Sequence, residues 1–149
     1  MKEYSKQYNT PFSFVNGDNA KLFSPIDEET VDLHFKWMKE YGIDGVFMQR
    51  FVNEVKQSNP KGKAHFNKVL QNALNAANKY NKAICVMYDL SGCTSKDLGY
   101  IQQDWEELQR LFSLFSNTIN PNYLRHNKKP LLALWGVGFK VGRKYTIAD

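Results

Sequence analysis

The sequence predicts an α/β fold in which about three parallel strands are joined by crossover helices, and three observations carry that expectation. Segments with helical apolar spacing alternate along the chain with short, uninterrupted apolar runs. The apolar runs are bounded by turn residues and are too short to form further amphipathic helices. Strands without polar alternation suit a sheet covered by right-handed helical crossovers, which is a parallel arrangement. With 149 residues, 42% of them hydrophobic and 14% aromatic, the chain has enough apolar material for one globular domain.

Residues 1–22 contain Pro11, the turn-forming Asn16-Gly17-Asp18-Asn19 and little periodicity, so an irregular segment is expected, with one short extended piece over 12–15. A helix is expected over 25–41. Ser24 is its candidate N-cap, Pro25 fits the first helical position, and Asp27, Glu28 and Glu29 complement the N-terminal partial charge. Val31, Phe35 and Met38 recur at helical spacing, Leu33 and Trp37 widen the apolar face, and Gly42 is a ready C-cap. Residues 43–48 then read as a buried strand followed directly by Gln49 and Arg50.

After a polar stretch containing Asn59-Pro60-Lys61-Gly62, residues 63–81 place Phe66, Val69, Leu70, Ala73, Leu74, Ala77 and Tyr80 on one stripe, a second helix. Residues 83–87 form the next apolar run, with Tyr88 and Asp89 at its end, repeating the layout of the first strand. A third helix over 95–115 carries Leu98, Ile101, Trp105, Leu108, Phe112 and Phe115 in steps of three and four; Ser95 or Asp97 can cap it, and Gly99 weakens its first turn. Residues 131–134 are the last apolar run and end in Trp135-Gly136.

This alternation is the pattern of a partial (β/α)8 barrel, a single domain over 1–149. A full barrel takes about 250 residues. A truncated reading frame or one piece of a split protein is therefore expected. The unpaired strands of such a piece favour self-association or pairing with the missing barrel half.

Other classes are excluded or weakened by composition. No run approaches the roughly 20 apolar residues of a membrane span, and the N-terminus has no leader pattern. The net charge of +5 is spread along the chain, and its densest clusters, HNKK and KVGRK, are short, so no nucleic-acid partner is expected. Cys85, within a strand, and Cys93, in the loop after it, match no zinc spacing, and the three histidines are far apart, so neither metal nor cofactor is expected; whether the two thiols pair is open.

The segments KLFSPIDEETVDLHFKWMKEYGIDGVFMQRF, AICVMYDLSG and NYLRHNKKPLLALWGVGF together resemble the glycoside hydrolase family 71/99-like proteins of bacteria, some labelled xylosidase or arabinosidase. The most specific piece runs from Asp27 through Glu29, Thr30, Val31, Asp32, His34, Trp37, Met38, Lys39, Glu40, Gly42, Ile43, Asp44 and Gly45 to Val46. The resemblance implies a barrel enzyme that hydrolyses O-glycosidic bonds in polysaccharides or glycans, with these residues covering its second to fourth strands. It implies a periplasmic or secreted location. The family's catalytic acids lie in a motif resembling His-Ile-Glu-Pro-Tyr, which this sequence lacks, so the catalytic residues stay unassigned and the chain alone is expected to be inactive. A non-catalytic carbohydrate-binding or barrel-completing fragment is the alternative.

Within that reading Gln49, Arg50, Tyr88, Asp89 and Trp135 are the candidate substrate-binding residues, because barrels place their chemistry at the carboxyl ends of strands. Consecutive strand residues point to opposite faces, so only one of Gln49 and Arg50, and one of Tyr88 and Asp89, can face the mouth. Arg50 can orient a carboxylate or a hydroxyl pair, or else bridge to a crossover helix. Asp89 can contact a sugar hydroxyl, hold Arg50, act as a catalytic carboxylate or simply brace a loop. Trp135 offers a sugar a flat apolar face or packs beneath a helix. Trp37 and Trp105 fall on buried helix stripes, His34 beside Trp37 between elements, and His65 and His126 at the surface.

Overall fold

Three of the apolar runs form one parallel sheet in the computed structural model, which describes residues 4–139 and 142–149. Met1, Lys2, Glu3, Lys140 and Val141, the last two within the KVGRK cluster, lie outside the described residues. In chain order the elements are β1 (Tyr8–Ser13), β2 (Asn19–Leu22), α1 (Glu28–Glu40), β3 (Gly45–Phe51), α2 (Pro60–Tyr80), β4 (Ala83–Asp89), α3 (Gly99–Phe112), β5 (Arg125–His126), β6 (Lys129–Pro130) and β7 (Leu132–Trp135). The sheet order is β3-β4-β7, with both pairs parallel. The sheet stays open, and no closed barrel forms within the described residues.

Several boundaries differ from the sequence reading. The N-terminal segment is not irregular: β1 and β2 pair antiparallel across a turn at Gly17, whose φ of 88° suits glycine. Helix α1 begins at Glu28 with Asp27 as its N-cap, because Ser24 and Pro25 are used in a preceding turn. In that turn Ser24 Oγ accepts from the Ile26 N–H at 3.3 Å. Gly42 ends the helix as expected, at φ 73°, and the Ile43 N–H closes back on the Met38 carbonyl at 2.9 Å. Helix α2 starts at Pro60, earlier than its apolar stripe suggests, because the Asn59 side chain accepts the Gly62 N–H at 3.0 Å and Pro60 fits the first turn.

The third strand is built in two pieces. Backbone bonds from Ile84 to Asn122 and from Leu124 to Ile84 place 122–124 beside the start of β4. The chain then leaves through the β5–β6 hairpin, turning on Asn127 and Lys128 at positive φ, and returns as β7. Tyr123 seals the break: its hydroxyl accepts from the Val86 N–H and donates to the Leu131 carbonyl, both at 3.0 Å.

One side of the sheet is packed against helices. Val46, Met48, Ile84, Val86 and Tyr88 belong to a single core with Leu70, Ala73 and Leu74 of α2, Leu108 of α3 and Val31, Phe35 and Met38 of α1. The α1–α2 contact is pinned by Asp32, which takes Lys79 Nζ at 2.6 Å and the Tyr80 hydroxyl at 2.7 Å. Buried Asn72 donates to the Pro25 and Ile26 carbonyls and so fixes the entry to α1. The other side carries no helix: Phe47 is 55% accessible, Phe51 37% and Trp135 48%, while Cys85 and Asp89 of the central strand stay buried.

Candidate functional site

Register places the proposed residues at one edge of the sheet. Phe51, Asp89 and Trp135 are lateral partners on β3, β4 and β7, and Arg50, Tyr88 and Leu134 are partners one residue earlier. One member of each consecutive pair therefore shares a face with Trp135 at this strand edge, as the period of two requires. The strands run on to Phe51, Asp89 and Trp135 instead of ending before the polar pairs, so pleating sends neighbours to opposite faces.

Arg50 and Tyr88 turn to the helical side, a correction to their assignment as rim residues. Arg50 is buried and holds Asp104 of α3 through two bonds, Nε to Oδ2 at 2.6 Å and Nη2 to Oδ1 at 2.8 Å, while Nη2 also reaches Asn67 Oδ1 at 2.7 Å. The Tyr88 hydroxyl donates to Asp104 Oδ2 at 2.5 Å. Burial, then the charge of Asp104, push the Tyr88 phenol well above its ordinary range, so it stays a donor. The bidentate fork with a second donor satisfies a carboxylate that would otherwise be costly inside the core. Arg50 thus takes the helix-bridging role of the two its sequence position allowed.

Gln49 and Asp89 turn to the helix-free face and meet there, Gln49 exposed and Asp89 buried at 3% accessibility, with Gln49 Nε2 donating to Asp89 Oδ2. The Ser91 N–H donates to Asp89 Oδ1 at 2.7 Å. Burial alone would raise the Asp89 pKa, but hydrogen bonding from Ser91 and Gln49, with the charge of Arg143, outweighs it and leaves the carboxyl below its ordinary value. Asp89 is therefore an ionised acceptor at neutral pH. Trp135 is its lateral partner on β7, half exposed, with its ring edge-on to Phe139 at 5.4 Å.

The loops above this edge are tied together. Lys56, after β3, bonds Asp97, after β4, at 2.7 Å. Asp97 also accepts from the Thr94 N–H and hydroxyl, and these bonds, that of Lys56 first, bring its pKa to about 2. The Ser95 N–H bonds the Lys144 carbonyl at 3.2 Å and so joins the β4 loop to the segment after β7. Three strand ends and their loops act as one platform.

No family model and no curated protein matches the chain.

Other sequence expectations are placed as follows. Cys85 and Cys93 are separate buried thiols, and burial raises the Cys85 pKa to about 11. His34 is half-buried, stacked on Trp37 at 5.7 Å and hydrogen-bonded to the Tyr4 hydroxyl at 3.1 Å; desolvation lowers its pKa. His65 and His126 are exposed. Trp105 is partly buried against Tyr123 and lines an apolar groove of about 740 Å³ together with Leu98, Leu132, Leu134 and Phe139. Among the described residues no group of three or more His, Cys, Asp or Glu side chains could hold a metal ion.

Sequence reasoning missed Asp104 and Arg143. The first had a signal: Asp104 lies three residues after Ile101 and four before Leu108, on the apolar stripe of α3, where an unpaired acid is improbable. Arg143 had none beyond its basic neighbours.

Proposed function

We propose that the chain is a carbohydrate-binding arc of a (β/α)8 barrel of glycoside-hydrolase type, acting on O-glycosidic bonds of a polysaccharide or glycan. The carrying observation is the Gln49–Asp89 pair beside half-exposed Trp135, all on the helix-free face at the carboxyl edge of parallel strands. In a barrel that face is the interior, and its C-terminal edge is the mouth. Helices on one side only, with aromatic side chains exposed on the other, support this arrangement over a doubly wound sheet, whose helices cover both faces.

The chemistry of the edge supports saccharide contact. An indole face stacks on the C–H face of a sugar ring. An ionised carboxylate accepts from hydroxyls, and the Gln49 carbonyl oxygen adds a second acceptor. Hydrolysis needs a group that delivers a proton to the leaving oxygen, which calls for a raised carboxyl pKa. Asp89 is shifted the other way, so it serves as acceptor and not as general acid. That favours the binding reading for this chain: it presents sugar contacts while the proton donor comes from elsewhere in a complete barrel. Xylo-, manno-, gluco- and arabino-oligosaccharides titrated into the 149-residue chain should give saturable binding that Trp135→Ala and Asp89→Asn each weaken about tenfold or more. Binding unaffected by both substitutions, or none with any of the four series, would remove the proposal.

A further inference from the structure

Arg143 is a cation at this edge that forms no direct ion pair among the described residues. Its guanidinium carbon lies 5.6 Å from the Phe139 ring centre and 5.9 Å from that of Tyr145. Its Nη2 is 3.7 Å from where a β-carbon would stand on Gly136, the residue after Trp135, and the Tyr145 hydroxyl bonds the Gly136 carbonyl at 3.0 Å. Arg143 therefore covers the end of β7 next to the indole of the proposed sugar contact. Its Nε is buried with no acceptor. Beside it lies a cavity of about 310 Å³ bounded by Gly92, Cys93, Gly142 and Lys144.

Two aromatic rings hold the partly exposed guanidinium in place, but they satisfy none of its N–H groups. The end-on fork of the two Nη groups matches the two oxygens of a carboxylate, and Lys144 on the same cavity adds a second positive charge. We infer that Arg143 receives the carboxylate of an acidic sugar, a hexuronate, whose ring lies on Trp135. The inference rests on the saccharide reading above and narrows its substrate class.

The test uses the isotopically labelled 149-residue chain, following the Arg143 guanidinium N–H and Trp135 indole N–H resonances during titration with methyl glucuronide, methyl glucoside and sodium sulfate. The glucuronide is expected to move both resonances and to bind about tenfold tighter than the glucoside, as a charge-assisted pair should. Arg143→Gln should erase that preference while the glucoside still moves Trp135, and Arg143→Lys should restore only part of it, because the charge returns without the fork. If both sugars move Trp135 alike and Arg143 stays still, the acidic-sugar inference falls and the saccharide reading stands. If sulfate moves Arg143 and neither sugar moves Trp135, the residue is a general anion contact; both readings are then overturned, as they are if nothing moves.

Discussion

Removing the Asp104 carboxylate should be among the most damaging single changes to the fold. Asp104→Ala takes away both bonds to Arg50 and the bond from Tyr88, and leaves a guanidinium that is 2% exposed with Asn67 as its remaining partner. Breaking one side of a buried pair costs about 3–5 kcal/mol. Charge-assisted bonds at about 1.5–3 kcal/mol each would sum to more, but water entering the vacated space returns part of it. A loss near 4 kcal/mol is a large share of the roughly 5–15 kcal/mol that holds a domain together. With a urea slope of about 2 kcal/mol/M, the unfolding midpoint followed by tryptophan fluorescence should drop by about 2 M. The double change Arg50→Met with Asp104→Leu should recover most of that drop, since apolar residues replace both charges; Tyr88 still loses its acceptor, so recovery should be incomplete. A midpoint shift in Asp104→Ala below about 0.5 M, or a double variant no more stable than the single one, would refute the view that Arg50 is a core residue held by this acid.

Acid should loosen the loops above the strand edge. The Asp97 pKa, about 2 in the folded chain, lies below the ordinary carboxyl value, so its contribution is complete above about pH 5 and is lost as pH falls toward 2. Urea midpoints measured across that range should decline less steeply in Asp97→Asn than in the native chain. Gly45→Ala should cost about 3 kcal/mol or more, because a β-carbon there would stand 2.2 Å from the Ala83 carbonyl oxygen across the β3–β4 pair; denaturation showing a near-neutral effect would mean that the strands can separate locally. The exposed face and the free edges of β3 and β7 should drive concentration-dependent association, visible by sedimentation and reduced by Phe47→Lys. A native chain that stays monomeric at its highest soluble concentration would contradict this.

The parts of the fold that could be read from the chain are those written in local chemistry. The three amphipathic stripes, the Gly42 stop and the apolar runs each depend on neighbours within a few residues, and helices α1 to α3 with strands β3, β4 and β7 follow from them. The misses have a different cause. The β1–β2 hairpin carried an Asn16-Gly17 turn but little strand alternation, because most of its residues are exposed and no buried face imposes a pattern. Splitting the third strand around the β5–β6 hairpin depends on Tyr123 sealing the gap against β4, a contact 37 residues away along the chain.

The candidate edge divides the same way. Residue order alone brought Gln49, Arg50, Tyr88, Asp89 and Trp135 to the ends of adjacent strands, because a parallel sheet with crossovers must align those ends. Choosing between neighbours was beyond the sequence, since a period of two makes Gln49 and Arg50 equivalent until something occupies one side. Asp104 does so from α3: it draws Arg50 and Tyr88 into the helical layer and thereby sends Gln49 and Asp89 to the helix-free face. Long-range electrostatic pairing in a low-dielectric core settled what local pattern could not.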